Sequence, residues 1–461
     1  MTTTPTTARV TKAPGALPLI GHSVPMVRDP LRFLTSLCDH GDLVRIRIGP
    51  FKMTVVCDPA LSHQVFLDDR TFDKGGPIYD RAREIFGNSL ATCEHDQHRR
   101  LRRLLQPAFG PQRYPAYAQV MTKEIDEFTH DWREGQVIDV LDEMIKLAAR
   151  CVIRTLFTSE AVPPEARDSI IGDLRHILSG IYLRSVVPPA LDKLPVLGNR
   201  RYQQARQHLQ ETVAGVIHAY RTNGADRGDL LSMIMSIRDD PALPEGNGQG
   251  LSDQELTNVI LNFLLAGIDT LATAPAWALY LLTRNPKVHE RLRAEVDHIL
   301  PDGVAATHTD QPGLDLTARV ITEAMRLYPA GWIMTRLATT DTELGGHPIP
   351  KGTIVLLCPY VIHHRPDTYA NPEDFDPDRW DRQCPHKPPR NAYAPFGGGA
   401  RKCIGDGFTM VESTLALATI CARWDLAPVS DQRMRIKPEI LLRPQNFRVR
   451  LTPRTHGTRH A

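Results

Sequence analysis

Cys403 lies in the glycine-rich stretch APFGGGARKCIGDG, residues 394–407. The three glycines at 397–399 permit positive φ angles and a close approach of the backbone to a bulky, flat partner. Backbone N–H groups in such a loop can point at a thiolate sulfur and tune a metal bound to it. Arg401 and Lys402 add positive potential, which favours the thiolate. The stretch therefore predicts that Cys403 acts as a thiolate, either as a metal ligand or as a nucleophile.

Three kinds of site could use such a thiolate. A cysteine hydrolase needs a histidine base and an oxyanion hole, and no local pattern marks either. A zinc site needs three or four ligands, and none is clustered near Cys403. An iron porphyrin needs one thiolate because the macrocycle supplies four nitrogens, so haem is the most economical interpretation. We expect Cys38, Cys57, Cys151 and Cys421 to be small buried hydrophobes instead.

The pattern Phe396-x-x-Gly399-x-Arg401-x-Cys403-x-Gly405 resembles the haem-thiolate loop of the cytochrome P450 family. The resemblance extends over nearly the whole chain, from LPLIGH to ILLRPQNFRVRL. It implies haem b as the cofactor, Cys403 as the iron ligand, and Phe396 and Gly397 beside the haem. A haem-thiolate monooxygenase is the activity that the resemblance implies.

A charged pair lies upstream of this loop. Glu323 and Arg326 are three residues apart in ITEAMRLYP, and alone they would be read as a surface pair worth about 0.2–0.5 kcal/mol. In the P450 family the same spacing belongs to a buried charged cluster, completed by an arginine after a proline-rich loop. The resemblance implies that Arg379, in FDPDRW, is that third member.

One apolar segment, residues 259–282, is long enough to cross a bilayer. It carries Asn262, Asp269 and Pro275 near its middle, and an unpaired aspartate there would be costly in lipid. The capping-box pattern Ser252-x-x-Glu255 instead predicts a long helix buried through the protein. We therefore expect no integral membrane anchor in this segment.

Within that helix, AGIDT at 266–270 resembles the oxygen-binding segment of the P450 family. The resemblance implies that Gly267 thins the helix, that Thr270 turns its hydroxyl toward dioxygen, and that Asp269 relays protons. Dioxygen cleavage needs protons so that one oxygen atom can leave as water. The alternative is that the Thr270 hydroxyl bonds back to its own helix.

Haem also carries two propionates that need partners. His98 and Arg102 lie at i,i+4 in EHDQHRRLRRLLQPAF and resemble the family's propionate-binding helix, although many relatives have tryptophan at the position of His98. Arg336 and Arg401 match other propionate contacts of the family. The neighbouring arginines 99 and 103 are either solvated or part of a basic patch for an acidic electron donor.

Composition supports an ordinary globular protein: 42% of residues are hydrophobic, 23% are charged, and the formal net charge of +2 implies no bulk nucleic-acid binding. We predict a mainly α protein with small β-sheets, the single-domain P450 fold with a long central helix crossing the haem. Residues 1–13 are predicted to form a flexible tail and 14–461 the haem domain. The stretches at 198–201 and 236–250 are interpreted as breaks between helices.

The sequence shows no fused flavin or nicotinamide domain and no signal peptide, so we expect a cytoplasmic enzyme that receives electrons from a ferredoxin and its NAD(P)H-dependent reductase. Its candidate pocket walls are mostly apolar, which favours a hydrophobic substrate. They are residues 74–90, 180–189, the helix around 263–266, and 329–334. The segments KGGPIYDRAR, PAGWIMTR and FDPDRW resemble sesquiterpene oxidases of actinomycetes.

Several alternatives to that function stay open. The substrate could be a polyketide, a steroid or a fatty acid. The enzyme could be a haem-thiolate isomerase or peroxygenase, although neither needs the Asp269–Thr270 pair. A non-catalytic haem sensor would carry a regulatory or DNA-binding module, and none is visible in the sequence.

Overall fold

A computed structural model describes residues 10–157, 169–174, 176–177, 197–223, 228–242, 248–429 and 434–455 of the chain. Its helices are α1 (Ser23–Arg28), α2 (Pro30–Ser36), α3 (Pro59–Leu67), α4 (Pro77–Phe86), α5 (His95–Leu105), α6 (Tyr114–His130), α7 (Val140–Leu156), α8 (Leu197–Asn223), α9 (Leu230–Ser236), α10 (Asp253–Arg284), α11 (Pro286–Ile299), α12 (Asp315–Leu327), α13 (Pro359–His363) and α14 (Asp406–Arg423). Its strands are β1 (Thr11–Lys12), β2 (Leu43–Ile48), β3 (Phe51–Val56), β4 (Phe72–Asp73), β5 (Val137–Asp139), β6 (Met334–Ala338), β7 (Thr342–Leu344), β8 (His347–Ile349), β9 (Ile354–Leu357), β10 (Trp424–Pro428), β11 (Arg435–Pro438), β12 (Leu442–Gln445) and β13 (Arg448–Pro453).

The chain divides into two compact units. The first consists of Met1–Asp80, Met325–Cys403 and Ile440–Leu442, and the second of Arg81–Ala324, Ile404–Glu439 and Arg443–Ala461. Each unit has its own sheet and its own set of helices.

The first unit is built on a six-stranded sheet in the order β1-β2-β3-β9-β6-β4. The β-rich runs at residues 43–49 and 52–57, separated by Gly49-Pro50, predict a hairpin. It is present: β2 and β3 are antiparallel and are joined at Gly49, whose φ of +56° is readily adopted by glycine. The strands carry buried Val44, Val55 and Leu356 into one apolar cluster. A second apolar cluster, which includes Phe66 and Leu357, packs against Ala394 at the start of the cysteine loop.

The N-terminal boundary differs from the predicted one. Residues 11–12 form β1, which pairs in parallel with Val44 and Arg45, and Val10 and Ala13 are buried. The predicted tail to residue 13 is therefore wrong at its end, because backbone pairing and the burial of two apolar side chains fix residues 10–13. The threonine-rich composition conceals this short strand.

The second unit is organised around α10, which packs against α7, α8 and α14. Its N-terminus has the predicted capping box: the Ser252 hydroxyl accepts from the Glu255 N–H, and the Glu255 carboxylate accepts from the Ser252 N–H. The helix is long and apolar enough to cross a membrane, with a mean hydropathy of 1.6 in its most apolar window, but 78% of that window is buried. Such burial is typical of a helix in the centre of a protein, as the sequence predicts.

The break predicted at residues 198–201 is wrong. Leu197–Asn223 form one helix, and Gly198 lies in its first turn. A glycine inside a helix costs about 1 kcal/mol relative to alanine, which 27 residues of helix can absorb. The other predicted break, at 236–250, begins at the last residue of α9, Ser236, and its remaining described residues lie outside helices.

Candidate active site

The cysteine loop has a backbone conformation that its glycines make possible. The Cys403 N–H donates to the Phe396 carbonyl at 2.9 Å, and Gly397 and Gly399 have φ angles of +69° and +61°. A Cβ on Gly399 would lie 2.0 Å from the carbonyl oxygen of Phe66. Gly399 is thus required by both its dihedral angle and its close packing against α3.

Cys403 is also the most exposed of the cysteines. All eight cysteines are described; Cys403 is exposed, Cys38 and Cys384 are half-buried, and the other five are buried. An open thiol at the tip of a glycine loop fits a thiolate that ligates a flat iron porphyrin. Within the described residues no group of three or more His, Cys, Asp and Glu side chains could hold a metal ion, so a zinc site has no support.

Arg401 lies in the same loop but is buried, with 7% of its surface exposed. Its guanidinium pairs with Asp73, and its Nε lies 3.5 Å from Asp69. The two carboxylates compensate the arginine charge, so a propionate would have to share it with them. Sequence reasoning did not identify either aspartate, and no motif marks them.

Arg336, the other predicted propionate partner in the first unit, is also buried. Its Nη1 donates to the Thr335 carbonyl at 2.8 Å and to the Tyr79 hydroxyl at 3.3 Å. Its guanidinium lies 5.9 Å from the centre of the Phe66 ring, and the same ring packs against Gly398. Phe66 therefore links Arg336 to the cysteine loop, a role that the sequence does not indicate.

The predicted charged cluster is fully buried, although the spacing of Glu323 and Arg326 alone would indicate a surface pair. Glu323 and Arg326 are both 0% exposed on α12, which rejects the surface-pair interpretation. Arg326 donates to the carbonyls of His363, Pro372 and Asp374 at 2.7–3.0 Å. Its charge is spread over backbone oxygens that fix the loop after α13.

Tyr369 connects this cluster to Arg379. The guanidinium groups of Arg326 and Arg379 lie 5.1 Å and 5.8 Å from the Tyr369 ring centre, and Arg379 also donates to the Ala370 carbonyl at 2.9 Å. Cation–π contacts of this kind gain strength when they are shielded from water. The structure thus brings Arg326 and Arg379 to one aromatic ring.

His363 extends the cluster toward the cysteine loop. Its Nε2 accepts from the Ala394 N–H at 3.0 Å, which leaves Nδ1 to donate to the Arg326 carbonyl at 3.0 Å. Burial lowers the pKa of His363 to about 3, so the ring is neutral and this tautomer is fixed. His363 therefore ties α12 to the start of the loop that carries Cys403.

One face of α10 is open although the rest of its central part is buried. Between residues 259 and 279 the accessible side chains are Phe263, Ala266, Gly267 and Thr270. Their spacing of i, i+3, i+4 and i+7 places them on a single face. Phe263 packs edge-on against Phe109, with ring centres 5.2 Å apart. This open face is apolar except for one hydroxyl.

Asp269 lies beside that face and is buried, with 3% of its surface exposed. Arg443, on β12, donates to its carboxylate. Burial raises the pKa of Asp269, the Arg443 charge opposes that rise, and the Glu439 charge adds to it. The result is a buried acid whose proton affinity is balanced by a cation 174 residues away in the sequence.

The Thr270 hydroxyl donates to the Ala266 carbonyl at 2.6 Å and approaches the Gly267 carbonyl at 3.2 Å. This is the back-bonded arrangement that the sequence left open as an alternative. The roles of Asp269 and Thr270 in proton transfer therefore stay predictions. Gly267 is not required by packing, since a Cβ there would lie 3.6 Å from Val152, an ordinary contact.

On α5, His98 is buried and Arg102 is half-buried, with the Arg102 Nε donating to the Gln106 side chain at 2.6 Å. Arg103 donates to Asp239 at 3.0 Å, and the Asp239 side chain is fully buried. Arg103 is therefore an ion-paired residue rather than a solvated one, and only Arg99 of the proposed basic pair is exposed.

The predicted pocket walls are described in part. Residues 180–189 lie outside the described residues. In the stretch 329–334, Trp332 is buried in the apolar cluster of the first unit, so it is a core residue. The stretch 74–90 contains α4, and the open face of α10 includes Phe263 and Ala266 as expected.

Comparison with known proteins settles the family of this chain. The family model "Cytochrome P450" matches residues 12–451. The chain belongs to the cytochrome P450 family. The crystal structure of the cytochrome P450DA haem domain matches with a TM-score of 0.87 at 27% identity, over 97% of this chain and 98% of that one. The predicted P450 fold, mainly helical with small sheets, is confirmed.

Curated relatives in Streptomyces resemble this P450 more strongly. Cyclooctatin synthase of Streptomyces melanosporofaciens is 42% identical, over 97% of this chain and 96% of the relative. Pentalenene oxygenase of Streptomyces avermitilis is 41% identical, over 96% and 98%. Cyclooctat-9-en-7-ol 5-monooxygenase of S. melanosporofaciens is 42% identical, over 90% and 89%.

This P450 is a monooxygenase that uses haem, dioxygen, a hydrophobic substrate and electrons from a redox partner. The chemistry of the described residues fits the cofactor: a solvent-accessible thiol in a glycine loop, with buried arginines on the same unit. Cys403 is the residue that would hold the iron.

Proposed function

We propose that this P450 oxidises a terpene hydrocarbon, a sesquiterpene of the pentalenene type, at a methyl group and carries the resulting alcohol on to the aldehyde. Each round consumes dioxygen, two electrons and two protons, and returns one hydroxyl and one water. The observation that supports the proposal most strongly is the open face of α10, where three apolar residues, Phe263, Ala266 and Gly267, adjoin the single hydroxyl of Thr270. Similarity to the named terpene-type oxygenases supports it.

The haem and the residues of α10 would have separate roles in the reaction. Haem supplies the binding of dioxygen and the oxidising power that breaks the C–H bond. Phe263, Ala266 and Gly267 hold the hydrocarbon by apolar contact and exclude water from it. The Thr270 hydroxyl leaves the Ala266 carbonyl and passes a proton inward, and the Asp269 carboxyl exchanges that proton with solvent. A buried acid of raised pKa suits this transfer because it takes up a proton more readily than a solvated carboxylate does.

Electrons are proposed to come from a separate ferredoxin and its NAD(P)H-dependent reductase. The chain covers 96–98% of cyclooctatin synthase and pentalenene oxygenase but only 42% of a bifunctional P450/NADPH–P450 reductase of Bacillus cereus. It thus resembles relatives that match it in length. The cytoplasm is the proposed location, since all eight cysteines are free thiols.

The test uses the haem-loaded protein with a surrogate ferredoxin and reductase. Pentalenene and cyclooctat-9-en-7-ol are added separately, the Soret band is followed during titration, and products are identified by mass spectrometry. We expect a saturable high-spin shift and an oxidised product with pentalenene. A normal ferrous carbon monoxide spectrum with no shift and no product would reject the substrate class and leave the family assignment unaffected.

Two variants of α10 test whether its open face contacts the substrate. Ala266→Leu enlarges the exposed side chain of that face and should weaken substrate affinity in the Soret titration by roughly tenfold or more, since the added methylene groups occupy space that the substrate would fill. Gln254→Leu is the matched control, because Gln254 is exposed near the start of the same helix. Equal titration of both variants would show that the substrate binds elsewhere.

Thr270→Ala tests the proton relay separately from binding. We expect the Soret titration to stay unchanged while product per electron consumed falls and hydrogen peroxide accumulates. Unchanged coupling would remove Thr270 from the relay and favour its back-bonded structural role.

A further inference from the structure

A polar cavity of about 650 Å³ lies at the N-terminal end of α10, and its described lining belongs entirely to the second unit. The lining comes from α5, the last turn of α8, the end of α9 and the chain that leads into α10. Three of the lining side chains are arginines, Arg100, Arg221 and Arg238, and one is a carboxylate, Glu255. Substrate pockets for hydrocarbons are mostly apolar, so a wall of this kind suits a different, charged ligand.

Two of the three arginines are fixed in place by carboxylates. The Arg100 Nη1 donates to Glu255 at 2.7 Å, and the Arg100 Nε lies 3.5 Å from the Asp239 carboxylate. The Arg221 Nε donates to Asp253 at 2.5 Å. These ion pairs hold both guanidinium groups at the cavity wall and compensate their charge.

Arg238 has different partners. Its Nη1 donates to the backbone carbonyls of Met235 and Ile237 at 2.8 Å and 3.0 Å, and among the residues that the structure describes no carboxylate pairs with it. Gly250 gives it room, since a Cβ there would lie 2.8 Å from the Arg238 Nη1. A guanidinium has five N–H donors in a planar fork. The backbone therefore holds Nη1, and the edge formed by Nε and Nη2 is left for a ligand.

The charge balance of the cavity wall favours an anion. Arg103 also pairs with Asp239, at 3.0 Å, so the three paired arginines face three carboxylates and the charge of Arg238 is in excess. A guanidinium edge binds a phosphate or carboxylate through two parallel hydrogen bonds. A phosphate has an additional oxygen with which it can contact a second arginine, and the cavity is large enough to take an organic group as well.

We propose that this cavity binds a soluble phosphate ester, with the phosphate on the Nε and Nη2 edge of Arg238 and the organic part against residues 248–251. The bound ester bridges the end of α9 to the start of α10, so it stabilises the folded protein. Glu255 precedes Phe263 by eight residues, which is about 12 Å of helix. The site is therefore separate from the open face of α10 and independent of the proposed terpene substrate.

The experiment titrates the haem-loaded full chain with glycerol 3-phosphate in a calorimeter, at constant ionic strength because salt screens charge interactions. We expect saturable binding and a Tm that rises with the concentration of the ester, with no response to glycerol. Vesicles of phosphatidylcholine with phosphatidic acid present the same phosphate group on a lipid. Binding to these vesicles without binding of glycerol 3-phosphate, or no saturable binding of either, would overturn the proposal.

Variants of Arg238 test whether the binding occurs in this cavity. Arg238→Gln should weaken binding of glycerol 3-phosphate roughly tenfold or more, because two charge-assisted hydrogen bonds are lost. Arg238→Lys keeps the charge but not the fork, so its affinity should lie between those of the parent and Arg238→Gln. Arg238 is exposed, so neither change disturbs the core, and an unchanged Soret spectrum and circular dichroism would verify this.

Arg133→Gln is the matched control, because Arg133 is an exposed arginine between α6 and β5 that does not line the cavity. It should bind the ester as the parent does. Equal affinity of the parent and Arg238→Gln, or equal weakening by Arg133→Gln and Arg238→Gln, would show that the phosphate does not bind at Arg238.

Discussion

Glu412 is a fully buried carboxyl on α14, the helix that begins three residues after Cys403. Within the described residues its Oε2 has no hydrogen-bond partner, and the Cys151 side chain offsets only part of the cost of burying the carboxylate. Burial raises the pKa of Glu412 from its usual 4.5 to about 8. The carboxyl is therefore mainly neutral at pH 7, and the folded state resists its ionisation.

The sign of the effect follows from linkage. An acid whose folded-state pKa is raised gives stability that is fully present below its unfolded pKa and is lost as pH rises through the folded pKa. For Glu412 this window extends from 4.5 to about 8. Gln has the shape of the neutral acid and cannot ionise, so Glu412→Gln should remove the loss of folding stability that the parent suffers as pH rises. We expect the variant to gain stability relative to the parent as pH rises.

The magnitude can be worked from the same pKa. A rise from 4.5 to about 8 corresponds to about 5 kcal/mol at most, since one pH unit is about 1.4 kcal/mol. Between pH 5 and pH 9 the parent should lose about 4 kcal/mol relative to Glu412→Gln. An unfolding entropy of about 2.1 cal/mol/K per residue over 461 residues makes 1 kcal/mol equal to about 1 °C. The Tm difference should therefore grow by about 4 °C.

The assay measures Tm of both haem-loaded proteins at pH 5 and pH 9 with one scan rate. Glu134→Gln is the matched control, because Glu134 is exposed in the turn between α6 and β5. A Tm difference for Glu412→Gln that is the same at both pH values, or that falls with pH, would refute the buried neutral carboxyl.

Three further variants test the cysteine loop and the Asp269–Arg443 pair. Gly399→Ala should destabilise the protein by about 3 kcal/mol or more in denaturant unfolding, because its φ is positive and its Cβ would meet the Phe66 backbone. Gly352→Ala is the control and should cost only about 1 kcal/mol, since its φ is +81° but no atom lies within 4 Å of the added Cβ. Equal losses of stability would contradict the Phe66 contact. Cys403→Ser should abolish the ferrous carbon monoxide spectrum of the thiolate and all turnover, and a normal spectrum would reject Cys403 as the ligand. Arg443→Met should raise the pKa of Asp269 further, so the pH optimum of product yield should move upward; an unchanged pH profile would show that the pair has no part in proton transfer.

The features that were predictable from sequence depend on local pattern. The capping box at Ser252 and Glu255 and the hairpin turn at Gly49 were expected because their physical causes lie within a few residues. The glycine loop around Cys403 was recognisable for the same reason. The strand at residues 11–12 was missed because its stabilisation comes from Val44 and Arg45, more than 30 residues later.

The polar partners of the site were not predictable because each joins separate parts of the chain. Arg401 was expected to face a propionate, yet it pairs with Asp73, 328 residues earlier. His363 carries no motif, and its role appears only when α13 is packed beside Arg326. Sequence spacing identifies such residues only when both partners lie on one helix, as Glu323 and Arg326 do.

The Asp269–Arg443 pair shows why this matters for catalysis. Motif resemblance indicates an acid next to Thr270, but the ability of that acid to exchange a proton depends on its pKa. Burial raises the pKa of the Asp269 carboxyl and the Arg443 charge lowers it, so the balance of these two opposing effects sets how readily the acid takes up a proton. Two P450s with the same AGIDT segment can therefore differ in proton delivery if they differ at the position of Arg443. Arg443, which adjusts the pKa of Asp269, thus lies outside the AGIDT motif by which the relay is recognised.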